Sequence, residues 1–154
     1  MRKYEFTGET QNIECTGKVI TLHRIRAARD FMGVKKEELG GWIETEDNLS
    51  HSGNAWVSGN AQVSGNARVY DIRHVFTAGP IGSRDGFVTF FRDKDCEISV
   101  KCGCFSGKLG EFLERVRKTH GDSKYAHEYI LIAESAKACI DLTAEKPEEE
   151  GDSE

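Results

Sequence analysis

Two glycine-rich loops carry the residues of this sequence that are best suited to hold an anion. The first, residues 78–86, has the sequence Ala-Gly-Pro-Ile-Gly-Ser-Arg-Asp-Gly. Its glycines allow neighbouring backbone amides to converge, and Ser83 and Arg84 add a hydroxyl and a guanidinium, a combination typical of phosphate-binding loops. The alternative is a plain Gly/Pro turn in which Arg84 is solvated or paired with Asp85.

The second loop, Cys102–Gly107, leads into a predicted helix whose first amides are also suited to an anion. The β-rich runs 87–91 and 97–101 predict an antiparallel hairpin, which places this loop beside the end of the first one. We therefore expect one shared pocket for an anionic ligand. Its predicted ligand-binding residues are Gly82, Ser83, Arg84, Lys101, Gly103 and Cys104.

The cysteines and histidines also permit a metal site, which would use Cys102, Cys104 and His120. The spacing does not favour it, because common zinc sites use pairs of the C-x₂-C type and no second pair follows here. We expect neither a metal nor another cofactor. The five cysteines are expected to remain thiols in a reducing compartment.

Three tandem hexads, Gly-Asn-Ala-x-Val-x, occupy residues 53–70, and a decayed fourth follows at 71–76. A period of six fits neither a helix nor a plain hairpin, whereas a coil of short strands that turns at each Gly-Asn accounts for it. The valines and alanines would then point inward, and Trp56 and His74 would point outward. This pattern predicts a short β-helical coil of under two turns, which needs capping or self-association into a dimer or trimer.

The remainder of the chain predicts an α+β architecture. After the hairpin, apolar residues at 109, 112, 113 and 116 define one face of a helix, and Ser123 is a suitable N-cap for a second helix. The expected organisation is a set of capping strands in 1–41, the β-helix in 42–76, a ββαα domain in 77–141 and a disordered acidic tail in 142–154.

The segment 22–49 and the Gly-Asn-Ala hexads resemble a family of phage and prophage proteins with hexapeptide-type left-handed β-helix repeats, often labelled transferases or polymer-forming proteins. Ile-Gly-Ser-Arg and Cys-Gly-Cys-Phe, at 81–84 and 102–105, resemble a C-terminal module of the same proteins. The resemblance favours a non-enzymatic phage protein that acts in counter-defence. It would capture a host immune protein, such as a CRISPR effector, or a phosphorylated signal nucleotide.

Two other functions remain open from the sequence. One is an acyltransferase of the hexapeptide class, in which His74 would act as general base toward a hydroxyl or amine. The other is a structural, trimeric component of the phage particle. The hexapeptide acyltransferases use several coil turns to build a coenzyme A groove, and this chain has fewer than two, so binding is the function that we expect.

The charge of the chain is −5, and residues 142–154 account for all of it, because they contain six acids and one base. The body, residues 1–141, is therefore neutral, and its basic clusters are interleaved with acids, so a nucleic-acid partner is not expected. No apolar run approaches the roughly 18 residues of a membrane span. The N-terminus lacks the apolar stretch of a secretory signal, so we expect a protein of the host cytoplasm.

Overall fold

The computed structural model describes residues 2–15 and 17–143 of the chain. Its first sheet has four strands, which are, in spatial order, β1 (Tyr4–Cys15), β2 (Lys18–Ala27), β3 (Leu39–Ile43) and β4 (Gln62–Val63). The sheet is mixed: β2 is antiparallel to both β1 and β3, and β4 is parallel to β3. The predicted disordered tail lies outside the described residues except for Leu142 and Thr143.

The second sheet is antiparallel throughout and carries two helices. Its elements are β5 (Val75–Ile81), β6 (Gly86–Arg92), β7 (Ile98–Cys102), β8 (Phe105–Lys108), α1 (Leu109–His120) and α2 (Lys124–Cys139). The predicted hairpin corresponds to β6 and β7. The sequence pattern did not show the flanking strands β5 and β8, so this unit has four strands instead of two.

Both helices form where their local signals predict them. In α1, Phe112 and Val116 are buried, as expected for residues on one helical face. At the start of α2, the hydroxyl of Ser123 accepts a hydrogen bond from the backbone N–H of Ala126. Among the described residues, no helix combines the length and apolar character that crossing a bilayer requires.

The predicted left-handed β-helix is wrong, because the structure forms two small sheets and two helices instead of a solenoid. Each of the three regular hexads begins with a turn: Gly53, Gly59 and Gly65 have positive φ, and the N–H groups of Ala61 and Ala67 donate back to Ser58 and Ser64. The residues after these turns do not stack into coils, and Gln62–Val63 is the one strand within the three regular hexads. The carbonyls of Val57, Val63 and Val69 accept hydrogen bonds from residues 41–50.

Burial within the hexads follows the predicted pattern at the small and branched positions. The apolar residues Ala55, Val57, Ala61, Val63, Ala67 and Val69 are all buried. The predicted outward orientation of Trp56 and His74 is wrong, since both side chains are buried. Trp56 packs edge-on against Phe31 within the first core, which explains why an apolar ring faces inward here.

A buried lysine ties the N-terminus to the hexads. The Nζ atom of Lys3 donates to the carbonyl oxygen of Ala55 at 2.5 Å and lies 5.1 Å from the centre of the Phe31 ring. The next residue, Tyr4, donates its hydroxyl to the carbonyl of Leu49 at 2.6 Å. Burial, aided by the charge of Arg29, lowers the pKa of Lys3 to about 8.

This lowered pKa predicts how stability depends on pH. In the unfolded chain a lysine titrates near pH 10.4, so between pH 8 and 10 the unfolded state binds more protons and the free energy of unfolding rises with pH. In Lys3→Met this contribution is absent. We expect the free energy of unfolding of the parent, relative to the variant, to increase by about 1–3 kcal/mol between pH 7.5 and 10 in urea titrations. A difference that stays constant over this range would contradict the lowered pKa.

Candidate functional site

A cleft of about 720 Å³ lies between the first sheet and the second unit. This volume falls within the range of about 300–1,000 Å³ that is typical of small-molecule sites. One wall belongs to the first sheet and the loop before β4, and it comprises Gln11, Ile13, Trp42, Asn60 and Gln62. The other wall comes from the two glycine-rich loops, β6, α1 and α2, so both loops reach the same cleft.

Four of the six predicted ligand-binding residues line this cleft: Ser83, Arg84, Gly103 and Cys104. Gly82 and Lys101 lie behind its surface. Lys101 is buried, and its Nζ atom donates to the carbonyl oxygen of Gly103. Burial also lowers the pKa of Lys101. Lys101 therefore supports the second loop through this hydrogen bond and does not face the cleft.

Gly82 is required by its neighbour Tyr129. Its φ of +77° favours glycine, and a Cβ atom at this position would lie 2.0 Å from the Tyr129 hydroxyl oxygen. The Gly82 N–H donates to Glu128 at 2.8 Å, so two residues of α2 hold the first loop. Tyr129 in turn stacks on His120 and meets Phe112 edge-on. Burial raises the pKa of Tyr129, which keeps its hydroxyl protonated and able to donate.

Two arginines give the second wall a positive charge. Arg84 belongs to the first loop, and Arg115 projects from α1 with its guanidinium 5.5 Å from the centre of the Phe105 ring. Within the described part of the chain, neither forms an ion pair, and no Asp or Glu lines the cleft. The cleft therefore presents two cations that have no acidic partner in its lining, although the chain as a whole has a charge of −5.

The rest of the lining is aromatic or neutral and polar. Phe87 and Trp42 supply ring surface, and Phe87 is 39% exposed. The hydroxyls of Ser83, Thr89 and Thr119 also line the cleft. Charged donors, hydroxyls and flat apolar surfaces together suit an anionic organic molecule that contains a ring.

Local sequence patterns do not indicate most of the residues that complete this site. Arg115 belongs to a basic cluster with neighbouring acids, which predicts a solvated surface, and Tyr129 is expected only as a residue of the second helix. Trp42 and Gln11 belong to the first sheet, and the local pattern around them does not indicate which unit they will face. The position of Arg115 could have indicated its role, because it lies three residues after Phe112 and so close to the face of α1 that adjoins the core.

The suggested metal ligands do not form a metal site. Cys102 and Cys104 line the cleft, but Cys104 is disulfide-bonded, so its sulfur is not a thiolate ligand and the expectation of five free thiols is wrong. Burial raises the pKa of the Cys102 thiol. His120 packs between Tyr125 and Tyr129. Among the residues that the structure describes, no three His, Cys, Asp or Glu side chains are grouped closely enough to hold a metal ion.

The suggested general base, His74, lies away from the cleft. Its side chain is completely buried, and its Nδ1 atom accepts a hydrogen bond from the backbone N–H of Tyr70 at 3.0 Å. Because Nδ1 is occupied as an acceptor, the ring has a defined place in the turn before β5. A substrate in the cleft cannot reach it.

Comparison with known proteins finds no family model that matches the chain and no curated protein that is similar to it. The resemblance to phage proteins stays a prediction.

The contact between Gly82 and Tyr129 leads to a prediction about stability. We expect Gly82→Ala to lower the free energy of unfolding by about 2–4 kcal/mol, because the new Cβ atom meets the Tyr129 hydroxyl and the backbone conformation disfavours alanine. Chemical denaturation measures the change. Gly86→Ala is the matched control in the same loop, since a Cβ atom there meets nothing within 4 Å. Equal stabilities for the two variants would show that Tyr129 does not hold the loop.

Proposed function

We propose that this protein binds a nucleotide in the cleft and holds it without transforming it. The observation that carries the proposal is the pair Arg84 and Arg115, two guanidiniums without acidic partners among the described residues, in a cleft that no carboxylate lines. Guanidinium groups bind phosphate through paired, charge-assisted hydrogen bonds. The protonated hydroxyls of Tyr129 and Ser83 are further donors for phosphate oxygens.

The chemistry of the lining favours binding over catalysis. A hydrolase or transferase needs a nucleophile or a general base that is positioned by a partner group. The raised pKa of Cys102 keeps it a thiol, and His120 packs between tyrosine rings in a lining without carboxylates. Every charged group that lines the cleft is therefore suited to retaining an anion.

The resemblance to phage proteins suggests what such binding is for. A protein that sequesters a phosphorylated signal lowers its free concentration and so blocks the host response that depends on it. The concave shape of the cleft supports a small ligand, because pockets of this volume enclose small molecules whereas protein partners use broad, flatter surfaces. Capture of a signal nucleotide is thus the form of counter-defence that we favour.

Removing either arginine should weaken binding without unfolding the protein, because both side chains are exposed. For Arg84→Ala and for Arg115→Ala we expect a loss of affinity of about 10- to 100-fold, which corresponds to one charge-assisted interaction. Isothermal titration calorimetry would be run with the four ribonucleoside 5′-monophosphates, their 3′,5′-cyclic forms and cyclic dinucleotides. Melting temperatures should stay close to that of the parent.

Arg117→Ala is the matched control, since Arg117 is exposed on the same helix as Arg115 and does not line the cleft. It should bind like the parent. If the parent binds no nucleotide of the panel, or if the arginine variants bind as tightly as Arg117→Ala, the proposal fails. Nucleotide that is recovered chemically altered after incubation would also refute binding without catalysis.

A further inference from the structure

We infer that the wall of the cleft formed by Gln11, Trp42 and Gln62 binds the base of the nucleotide. This inference rests on the proposed function, because it assigns a role to the wall that lacks arginines. The first sheet and the loop before β4 contribute no charged residue to the lining, whereas both lining arginines come from the second unit. The two walls therefore divide the cleft into a neutral half and a cationic half.

Trp42 provides the ring surface of the neutral half. It lies opposite Arg24 in the β2–β3 pairing, and the Arg24 guanidinium is 5.8 Å from the centre of its ring. Arg24 does not line the cleft, but Trp42 does. The indole is thus held from one side by a cation and exposes ring surface to the cleft. Nucleobases stack on such aromatic surfaces, and the contact contributes to affinity whichever base is bound.

The two glutamines provide hydrogen-bonding groups in the same wall of the cleft. The side-chain Nε2 atom of Gln62 donates to the side-chain Oε1 atom of Gln11 at 3.0 Å. Gln62 is also held through its backbone N–H, which donates to the Thr89 hydroxyl at 3.0 Å. This hydrogen bond leaves the Oε1 atom of Gln62 free as an acceptor and the Nε2 atom of Gln11 free as a donor. Every base presents a donor and an acceptor side by side on its Watson–Crick edge, and such groups can pair with the free acceptor and donor of the two glutamines.

All three side chains belong to strands of the first sheet. Trp42 is opposite Gln62 in the parallel pairing of β3 with β4, and Gln11 lies on β1 at the other edge of the sheet, from which its side chain reaches that of Gln62. The platform is therefore built on strands, whose geometry is more rigid than that of loops. A rigid platform is what base recognition needs, since it limits the ordering cost of binding.

The test compares nucleotides with the same sugar phosphate without a base. Binding of AMP, GMP, CMP, UMP and ribose 5-phosphate is measured by calorimetry for the parent, Trp42→Leu, Gln11→Ala and Arg84→Ala. We expect the parent to bind at least one of the nucleotides about tenfold or more tightly than ribose 5-phosphate. Trp42→Leu should lose this advantage while retaining the affinity for ribose 5-phosphate. Arg84→Ala should weaken the binding of both.

Two further measurements separate a role in binding from a role in folding. Gln11 is exposed, so Gln11→Ala should fold normally and still bind nucleotides several-fold more weakly, and Asn12→Ala on the same strand is its matched control. Trp56 is buried in the first core and does not line the cleft, so quenching of tryptophan fluorescence by a bound base should occur in the parent and disappear in Trp42→Phe.

The outcomes distinguish the two proposals. If the parent binds neither ribose 5-phosphate nor any nucleotide, the 3′,5′-cyclic forms and cyclic dinucleotides included, the proposed function is wrong and the inference is wrong with it. If the parent binds nucleotides and ribose 5-phosphate equally, the cleft holds phosphate but the neutral wall does not bind the base. The inference is also overturned if correctly folded Trp42→Leu keeps the full advantage of the nucleotides, even where Arg84→Ala behaves as expected.

Discussion

The cleft depends on one strand, β6, whose two faces belong to different cores. Phe90 packs with Phe112 of α1 in the second core, whereas its neighbour Phe91 is buried in the core of the first sheet. Alternation along a strand requires this division, because adjacent side chains point to opposite faces. At the beginning of the strand, Phe87 and Thr89 line the space between the two units. The hydrogen bond from the Gln62 backbone N–H to the Thr89 hydroxyl then links the first sheet to the second.

The cleft is positive because two arginines and no Asp or Glu of the described chain line it, whereas several acids elsewhere accept hydrogen bonds from their own donors. Asp93 is buried at the turn after β6, where it accepts hydrogen bonds from Ser99 at 2.5 Å and from Lys108 at 2.7 Å. These donors hold the pKa of the Asp93 carboxyl below its usual value, although its burial alone would raise it. Other acids pair with basic groups on the surface, as Glu5 does with Arg26 at 2.7 Å. A chain with a charge of −5 can therefore present a cationic cleft, because local pairing and not the total decides the field that a ligand meets.

Local patterns predicted the second unit much better than the first. The 3.6-residue period around Phe112, the N-cap at Ser123 and the hairpin strands each depend on neighbours in sequence, so the sequence could indicate them. The β-helix prediction for the hexads is wrong because their period indicates where the chain turns but not which segment it pairs with. Asn48 shows what the period does not indicate. Its buried side-chain amide lies outside the repeat and donates hydrogen bonds to the carbonyls of Gly65 and Ala67. For the same reason, the sequence does not indicate the wall of Trp42 and Gln62, which can be recognised only from the strand order of the first sheet.

A ligand at this position would contact both cores at once, and this has a thermodynamic consequence. The described hydrogen bonds that join the hexads to the β6–β7 hairpin are few: they link Gln62 to Thr89, Arg68 to Arg92 and Asn66 to Lys94. A nucleotide with its base on Trp42 and its phosphate on Arg84 would add a bridge between the same two units. Binding free energy would then contribute directly to holding the units together, since a ligand stabilises the arrangement that it binds. A ligand in the cleft would therefore stabilise the arrangement of the two units, which suits a protein whose proposed role is retention of a ligand.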